Sequence, residues 1–444
     1  MSCVTIEYGI SHWEIVQQKD GFATITVGGS WNTEFSEEAK GVRLLVVQED
    51  TEEWVTDYVY ANTTENQWSC DLTLPAGGLY LLKTELWKET DHKCGLSGSR
   101  GDYVHHFGVG DLFLIMGQSN AAAYGRGPAT DGAELGVHVL RDGEYWDLAS
   151  HPLHDVQALH SPWLAMGKWL KKALHYPIGI LPFAIGGTTL AQWHKAETGE
   201  CYKIMEEGIK KHKLHPKAAI WYQGCSDTFK ETASSYLERF RDMVKDVRQD
   251  TQNPDLPMFT CQLNRCMDST FTEEHHEHYG IIREIQRTAP LHLDNVYVMP
   301  TIDSTHLSDG IHNSRVSNIM LGERMAQQIL FELYGKGVEI KAPDIASVTK
   351  TGNQVVFLFD NVKSDLFAFQ VSNQQFPLHV RDEEGRVEIS EYSTLGNQVV
   401  LTLARETKGT LTAYGQESAN PPAYLMDWDT HLPALCFYGV EVSE

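Results

Sequence analysis

The chain has no apolar run long enough to cross a membrane. Its longest, such as Ile178–Ile185, stop far short of the roughly 20 residues a span requires. It also lacks a surplus of basic residues: 36 Lys and Arg stand against 60 Asp and Glu, a net charge of −24. A surface that acidic repels phosphate backbones and anionic lipid, so nucleic acid and membrane are excluded as expected partners, whereas a neutral sugar is neither attracted nor repelled. The opening Met-Ser-Cys-Val-Thr-Ile-Glu-Tyr has no basic segment followed by an apolar one, and the expectation is therefore a cytoplasmic protein. None of the eight cysteines (Cys3, Cys70, Cys94, Cys201, Cys225, Cys261, Cys266, Cys436) forms a CxxC pair. The five-residue separation of Cys261 and Cys266 has no matching second pair, which argues against a thiolate metal site. A chain of 444 residues needs no disulfide staples, so reduced and mostly buried thiols are expected. No low-complexity linker interrupts the sequence.

Three regions of different pattern are present instead. Up to about residue 108 the apolar stretches are short, rich in β-formers and divided by polar turns, as in Phe22-Ala-Thr-Ile-Thr-Val, Val42-Arg-Leu-Leu-Val-Val and Tyr80-Leu-Leu-Lys-Thr-Glu-Leu-Trp, with a turn at Pro75-Ala-Gly-Gly; this predicts a β-sandwich. From Asp111, apolar runs (Leu112–Met116, Ile178–Ile185, Ala218–Tyr222, Pro257–Leu263, Val296–Met299) alternate with helical patterns. Tyr236, Phe240, Met243, Val244 and Val247 share one helical face. Ile281, Ile282 and Ile285 begin another before Pro290, and Val316 to Leu333 mark a long one closed near Gly335. Alternating strands and helices predict a parallel sheet covered on both faces. After about residue 340 the pattern returns to β, with two strands that share Gly-Asn-Gln-Val-Val at 352–356 and 396–400. The expected units are 1–108, 109–338 and 339–444.

Sites in open parallel sheets lie at the carboxyl ends of the strands, and four short stretches sit there. Gly117-Gln118-Ser119-Asn120 follows the first core run and offers a serine on a tight turn, where one residue supplies both a hydroxyl and a backbone N–H. Ile185-Gly186-Gly187-Thr188 follows the second, and glycine there lets an N–H approach a ligand. Trp221-Tyr222-Gln223-Gly224 follows the third and carries a side-chain amide able to donate to an oxyanion. Asp309-Gly310-Ile311-His312 precedes the last helix, with a carboxylate three residues before an imidazole. Each alone reads equally well as an ordinary turn or cap. Asp303-Ser304-Thr305-His306 repeats the last spacing; Asp309 and His312 are preferred because they abut the helix, and Asp303 is expected to order the loop.

Taken in order, these stretches resemble the SGNH hydrolases, specifically the branch of sialate O-acetylesterases and related carbohydrate acetylesterases, over residues 111–335. The flanking β segments look like that branch too. The resemblance implies a three-layer, flavodoxin-like α/β core with a parallel sheet, flanked by N- and C-terminal β domains. It implies Ser119 as nucleophile, His312 as base, Asp309 as the carboxylate that orients it, and an oxyanion hole from Ser119, Gly187 and Gln223. The sequence departs from the family pattern at Cys225, where glutamate is common, and at Ala121, where methionine is common. Cys225 so close to the site carries the expectation of sensitivity to thiol reagents.

Gln118, Asn120, Trp193, Tyr124 and Arg126 are candidate substrate contacts, Trp193 by stacking on a sugar ring and Arg126 by pairing with a carboxylate; His194, beside Trp193, is a further pocket candidate. The expected reaction removes O-acetyl groups from sugar hydroxyls of oligosaccharides of the xylan, mannan or sialic acid type through an acetyl-enzyme, with no metal or organic cofactor. Two alternatives remain at this level: a glycan-binding protein on an inactive esterase scaffold, and a general short-chain arylesterase. The aromatic content of Tyr424–Cys436 suggests that this stretch returns toward the cleft.

Overall fold

The computed structural model describes residues 2–32, 38–88, 99–122, 124–154, 159–268, 270–306, 309–369 and 371–444. In the N-terminal region the strands Val4–Tyr8, Phe22–Trp31, Gln67–Pro75 and Asn62–Thr63 form one antiparallel sheet. A second layer holds Gly41–Gln48 and Gly77–Trp87. Alternate residues point inward, so Ile25 and Val27 of one sheet meet Leu44, Val46 and Leu82 of the other around Trp68. The second layer does not end at residue 108. Its last strand, β1 (Ser99–Gly117), runs on for 19 residues into the central sheet. It pairs antiparallel with Gly77–Trp87 over its first half and parallel with core strands over its second. The expected boundary at 108/109 therefore falls inside one strand.

The core sheet adds β2 (Val137–Arg141), β3 (Tyr145–Leu148), β4 (Ile178–Pro182), β5 (Ala218–Tyr222), β6 (Met258–Cys261) and β7 (Val296–Met299). Its order is β3-β2-β4-β1-β5-β6-β7. All pairs are parallel except the hairpin β2–β3 at the edge. Without that hairpin the order is the doubly wound one, reversing at β1.

Strand β1 feeds two cores by its period of two. Leu112, Leu114 and Met116 join a cluster with the helices α3 (Glu200–His212), α4 (Tyr236–Asp250) and α5 (Glu273–Thr288). Phe113 and Ile115 join the opposite cluster with α2 (Trp163–Leu174) and α6 (Arg315–Tyr334). The hairpin β2–β3 and helices α2 and α3 are found in addition to the elements that the apolar pattern picks out.

Two polar clasps fasten the β regions to this core. Asp111, fully buried on β1, accepts from Gln17 Nε2 at 2.5 Å, Tyr176 Oη at 2.7 Å and Tyr334 Oη at 2.6 Å. Arg283 on α5 is fully buried, and among the described residues no carboxylate pairs with it. Its guanidinium donates to the carbonyls of Leu263 and Asn264 on one side and Gln416, Glu417 and Ser418 on the other. Backbone carbonyls satisfy the cation's donors here, where an unpaired buried charge would be costly. In the C-terminal region the two Gly-Asn-Gln-Val-Val stretches form neighbouring antiparallel strands, with Val356 opposite Val400. Each is entered by a glycine at positive φ, Gly352 and Gly396. Cys436 exchanges two hydrogen bonds with Gln262 just past β6, so the end of the Tyr424–Cys436 stretch does return to the sheet's carboxyl edge.

Candidate active site

Strand β1 ends at Gly117, where φ is +122°. A Cβ there would stand 2.3 Å from the Tyr222 carbonyl oxygen. Glycine thus lets the chain turn against β5, and Gln118 N–H donates to that same carbonyl at 3.0 Å. Ser119 then opens a single helical turn, α1 (Ser119–Ala122). Ser119 is 6% exposed. Among the described residues neither its hydroxyl nor its backbone N–H meets a hydrogen-bond partner. The N–H of Gly187, past the end of β4, is likewise without an acceptor among the described residues. Gly187 adopts φ +74°, and a Cβ built on it would meet nothing within 4 Å. Two unpaired amide donors on adjacent strand ends beside a hydroxyl are the raw material of an oxyanion hole.

The imidazole of His312 is held from its far side. Its Nδ1 lies 2.9 Å from Asp309 Oδ2, while Asp309 Oδ1 accepts the backbone N–H groups of Ile311 and His312. Gly310, at φ +68°, closes this turn. Burial alone would raise the Asp309 carboxyl; the donors of His312 and Ile311 outweigh it and hold the group below its ordinary value of 3.8. A neutral imidazole that donates from Nδ1 to this carboxylate keeps Nε2 as a base.

A buried amide ladder ties the imidazole's loop to the serine's. Asn120 Oδ1 accepts Asn313 N–H at 3.1 Å, so the residues next to Ser119 and His312 bond directly. Asn264, fully buried past β6, donates to Asn313 Oδ1 at 2.8 Å and to the Ile311 carbonyl. Asn313 in turn donates to Tyr222 Oη. Tyr124 completes the enclosure: its ring stacks on His312 with centroids 4.9 Å apart, and its hydroxyl would lie 2.4 Å from a Cβ at Gly186.

A family model described as carbohydrate esterase, sialic acid-specific acetylesterase, matches residues 109–331, half of the chain. This chain belongs to that family. It is 27% identical over 248 residues, 49% of its own length and 90% of the relative's, to a probable carbohydrate esterase of Arabidopsis thaliana. The crystal structure of a carbohydrate acetylesterase from Xanthomonas citri is similar over 98% of both chains, with a TM-score of 0.71 at 20% identity, so the fold is shared through the flanking β regions. A crystal structure of an Arabidopsis thaliana protein covers 50% of this chain, at 25% identity and a TM-score of 0.43.

Within this carbohydrate esterase, several expected contacts are corrected. Gln223 is fully buried and its Nε2 donates both hydrogens internally, to Thr188 O at 3.1 Å and Asp227 Oδ2 at 2.5 Å, while Oε1 accepts from Tyr236 Oη. With its donors spent, Gln223 braces the loop behind Gly187 instead of facing an oxyanion. Trp193 is also fully buried, against Trp221. Its indole N–H donates to Thr188 Oγ1 at 3.0 Å, so it supports the same loop and offers no face to a sugar. Gln118 and Asn120 are 5% and 4% exposed. Gln118 Oε1 accepts the N–H groups of Gly224 and Ser226, pinning the ends of β1 and β5 together. Both side chains serve the scaffold rather than the substrate.

The remaining candidates fall to either side. Arg126 is exposed, and among the described residues only its carbonyl is engaged, by Arg315 N–H. His194 bonds outward to Asp242. Asp303 is held by a two-pronged pair with Arg324 and His306 lies against Asn264, so that carboxylate and that imidazole do not pair with each other.

Burial, before any other influence, pushes the Cys225 thiol up to about 12, and Tyr279 Oη donates to its sulfur. A thiol so rarely ionised is a poor nucleophile, which argues against the expected sensitivity to thiol reagents. The seven described cysteines are all free thiols; Cys94 lies outside the described residues. Asn264 was not among the residues singled out. Its signal was available, since it is a polar residue just past the apolar run Pro257–Leu263. Among the described residues no helix is long and apolar enough to cross a membrane.

Proposed function

We propose that this chain is a serine O-acetylesterase acting on acetylated oligosaccharides. Ser119 attacks the acetyl carbonyl as His312 takes its proton, and Asp309 holds the imidazole in the tautomer and orientation this requires. The oxyanion is met by the backbone N–H groups of Ser119 and Gly187. His312 returns the proton to the sugar oxygen as its bond to the acetyl carbon breaks, freeing the hydroxyl, and water then attacks the acetyl-serine in the same way, releasing acetate and Ser119. The observation that carries this reading is the pair of amide N–H groups at Ser119 and Gly187 that meet no acceptor among the described residues, with a carboxylate-held imidazole tethered to the serine loop through Asn120 and Asn313. Each such donor is worth roughly 3–4 kcal/mol of transition-state stabilisation. Xylan, mannan and sialic acid fragments are the substrate classes to compare. The chain's family and the carbohydrate acetylesterase from Xanthomonas citri support acetylated sugars over simple aryl esters.

The test is hydrolysis of p-nitrophenyl acetate and of acetylated xylo-, manno- and sialo-oligosaccharides, with products weighed by mass spectrometry. The wild type releases acetate from at least one oligosaccharide class, and Ser119→Ala stays folded and releases none. Activity of Ser119→Ala equal to wild type would overturn the assignment.

A further inference from the structure

Asp131, His151 and His160 converge on the far side of the loop that leaves the serine turn. They come from three separate places: the segment before β2, the segment after β3, and the approach to α2. Their side chains are 5%, 10% and 3% exposed. The two imidazole rings stack with centroids 3.9 Å apart. His151 Nε2 lies 3.4 Å from Asp131 Oδ2, and His160 Nε2 lies 4.0 Å from the same oxygen. Donor atoms of the three side chains all fall within 4.8 Å of one another.

Among the described residues these contacts leave buried polar atoms unsatisfied. Among the described residues, His160 Nε2, the nitrogen that faces Asp131, is buried without a hydrogen-bond partner; so is His151 Nδ1, on the other side of its ring. Such a group costs roughly 1–3 kcal/mol, and native proteins keep few of them. The spacing matches a different partner. Around a tetrahedral zinc ion with bonds of about 2.0–2.2 Å, neighbouring donor atoms stand about 3.3–3.5 Å apart. The His151 to Asp131 distance is already there, and His160 is about half an ångström away.

We infer that Asp131, His151 and His160 form a binding site for a single divalent transition-metal ion of the zinc type, which clamps the loop behind the active site. Two imidazoles and one carboxylate are the donor set that such ions select. The supporting contacts fit as well. Asp131 Oδ1 is occupied by Lys168 Nζ at 2.7 Å, which leaves Oδ2 for the metal. On the far side of the ring, Asn318 Nδ2 lies 3.5 Å from His160 Nδ1 and donates to the His160 carbonyl at 2.9 Å, which fixes the residue in place. Asp131 also borders a cleft of about 1000 Å³ whose lining mixes carboxylates such as Glu134 and Glu323 with Lys168, Lys171 and Lys172. The clamp bears on the reaction site through the His160 carbonyl, which accepts Gly125 N–H at 2.9 Å, next to the Tyr124 that stacks on His312. This inference does not depend on the esterase chemistry.

The test uses the full chain stripped with a chelator, then titrated with Co²⁺ and with Zn²⁺. One Co²⁺ per chain is expected, with the visible d–d bands of a four-coordinate site, and Zn²⁺ is expected to displace it and raise Tm. His151→Gln and His160→Gln, each checked for native circular dichroism, are expected to abolish both effects. His106→Gln, at the second His/Glu cluster of Glu49, His105 and His106, is expected to leave them intact. Absence of stoichiometric binding, or binding that persists in both the His151 and the His160 variants, would overturn the inference.

Discussion

Replacing Gly186 with alanine isolates the contact that seats His312. Gly186 is not among the residues at positive φ, so alanine meets no backbone penalty there. Its new methyl would stand 2.4 Å from Tyr124 Oη, 2.7 Å from Cζ and 2.9 Å from Cε2. Ordinary carbon contacts are about 3.5–4.0 Å, so the ring must retreat by roughly 1 Å. The face of that ring is stacked on His312, so the displacement passes to the imidazole or opens the stack. A misplacement of about 1 Å at a reacting group costs about 10²-fold in rate, or about 2.7 kcal/mol of barrier. Overpacking itself costs typically 1–3 kcal/mol of stability. Gly186→Ala should therefore remain folded under mild conditions, with kcat/KM for p-nitrophenyl acetate down about 10²-fold. In a Tyr124→Ala background, where the obstruction is gone, the same substitution should cost little further. Gly187→Ala is the contrast: it meets no atom, and only its left-handed backbone is strained, by about 1–2 kcal/mol. Unchanged kinetics in Gly186→Ala, or an equal penalty with and without the Tyr124 ring, would refute the steric argument.

Gln223→Leu removes three internal hydrogen bonds and strips a donor from buried Asp227. The expected loss is about 3–5 kcal/mol in urea unfolding, whereas a fully stable variant with only a lowered kcat would restore Gln223 to the oxyanion hole. Iodoacetamide at pH 7 should leave activity intact, because a thiol with a value of about 12 is ionised only to about 10⁻⁵; time-dependent loss with alkylation mapped to Cys225 would contradict this. Asp309 has a folded value below its unfolded one, so its contribution to stability is present above the unfolded value and is lost as pH falls through the folded one. The stability gap between wild type and Asp309→Asn should then be constant near neutrality and close below about pH 4. A gap that widens toward acid would reverse the sign.

The strand ends were legible because an apolar run stopped by Gly117, Gly186 or Gly224 names both a core strand and the turn after it. The i to i+3 spacing of Asp309 and His312 was legible because a turn of that length brings two side chains together unaided. The hairpin β2–β3 had its signal, Asp142-Gly143 between apolar residues, but its strands are short beside the longer runs. The single strand across residue 108 left no mark, since a strand shared by two layers reads as two strands of different pattern. Trp193 and Gln223 were placed beside the correct loop yet given the wrong direction. Residue type supplies a donor but does not say whether the acceptor is a substrate or Thr188 and Asp227, which the chain carries only a few residues away. Pairings such as Asn120 with Asn313 join residues nearly two hundred positions apart, and no local pattern announces them.

The central claim is that the hydroxyl of residue 119 is the group that becomes acylated. Incubation with diethyl p-nitrophenyl phosphate, a serine-directed phosphorylating reagent, followed by peptide mass spectrometry, tests it without reference to any sugar. One diethylphosphoryl group per chain is expected, on the peptide spanning Gly117–Asn120 and localised to Ser119, with labelling slowed at least a hundredfold in His312→Ala. Stoichiometric labelling at another residue together with loss of activity, or full esterase activity in protein labelled at Ser119, would contradict the account.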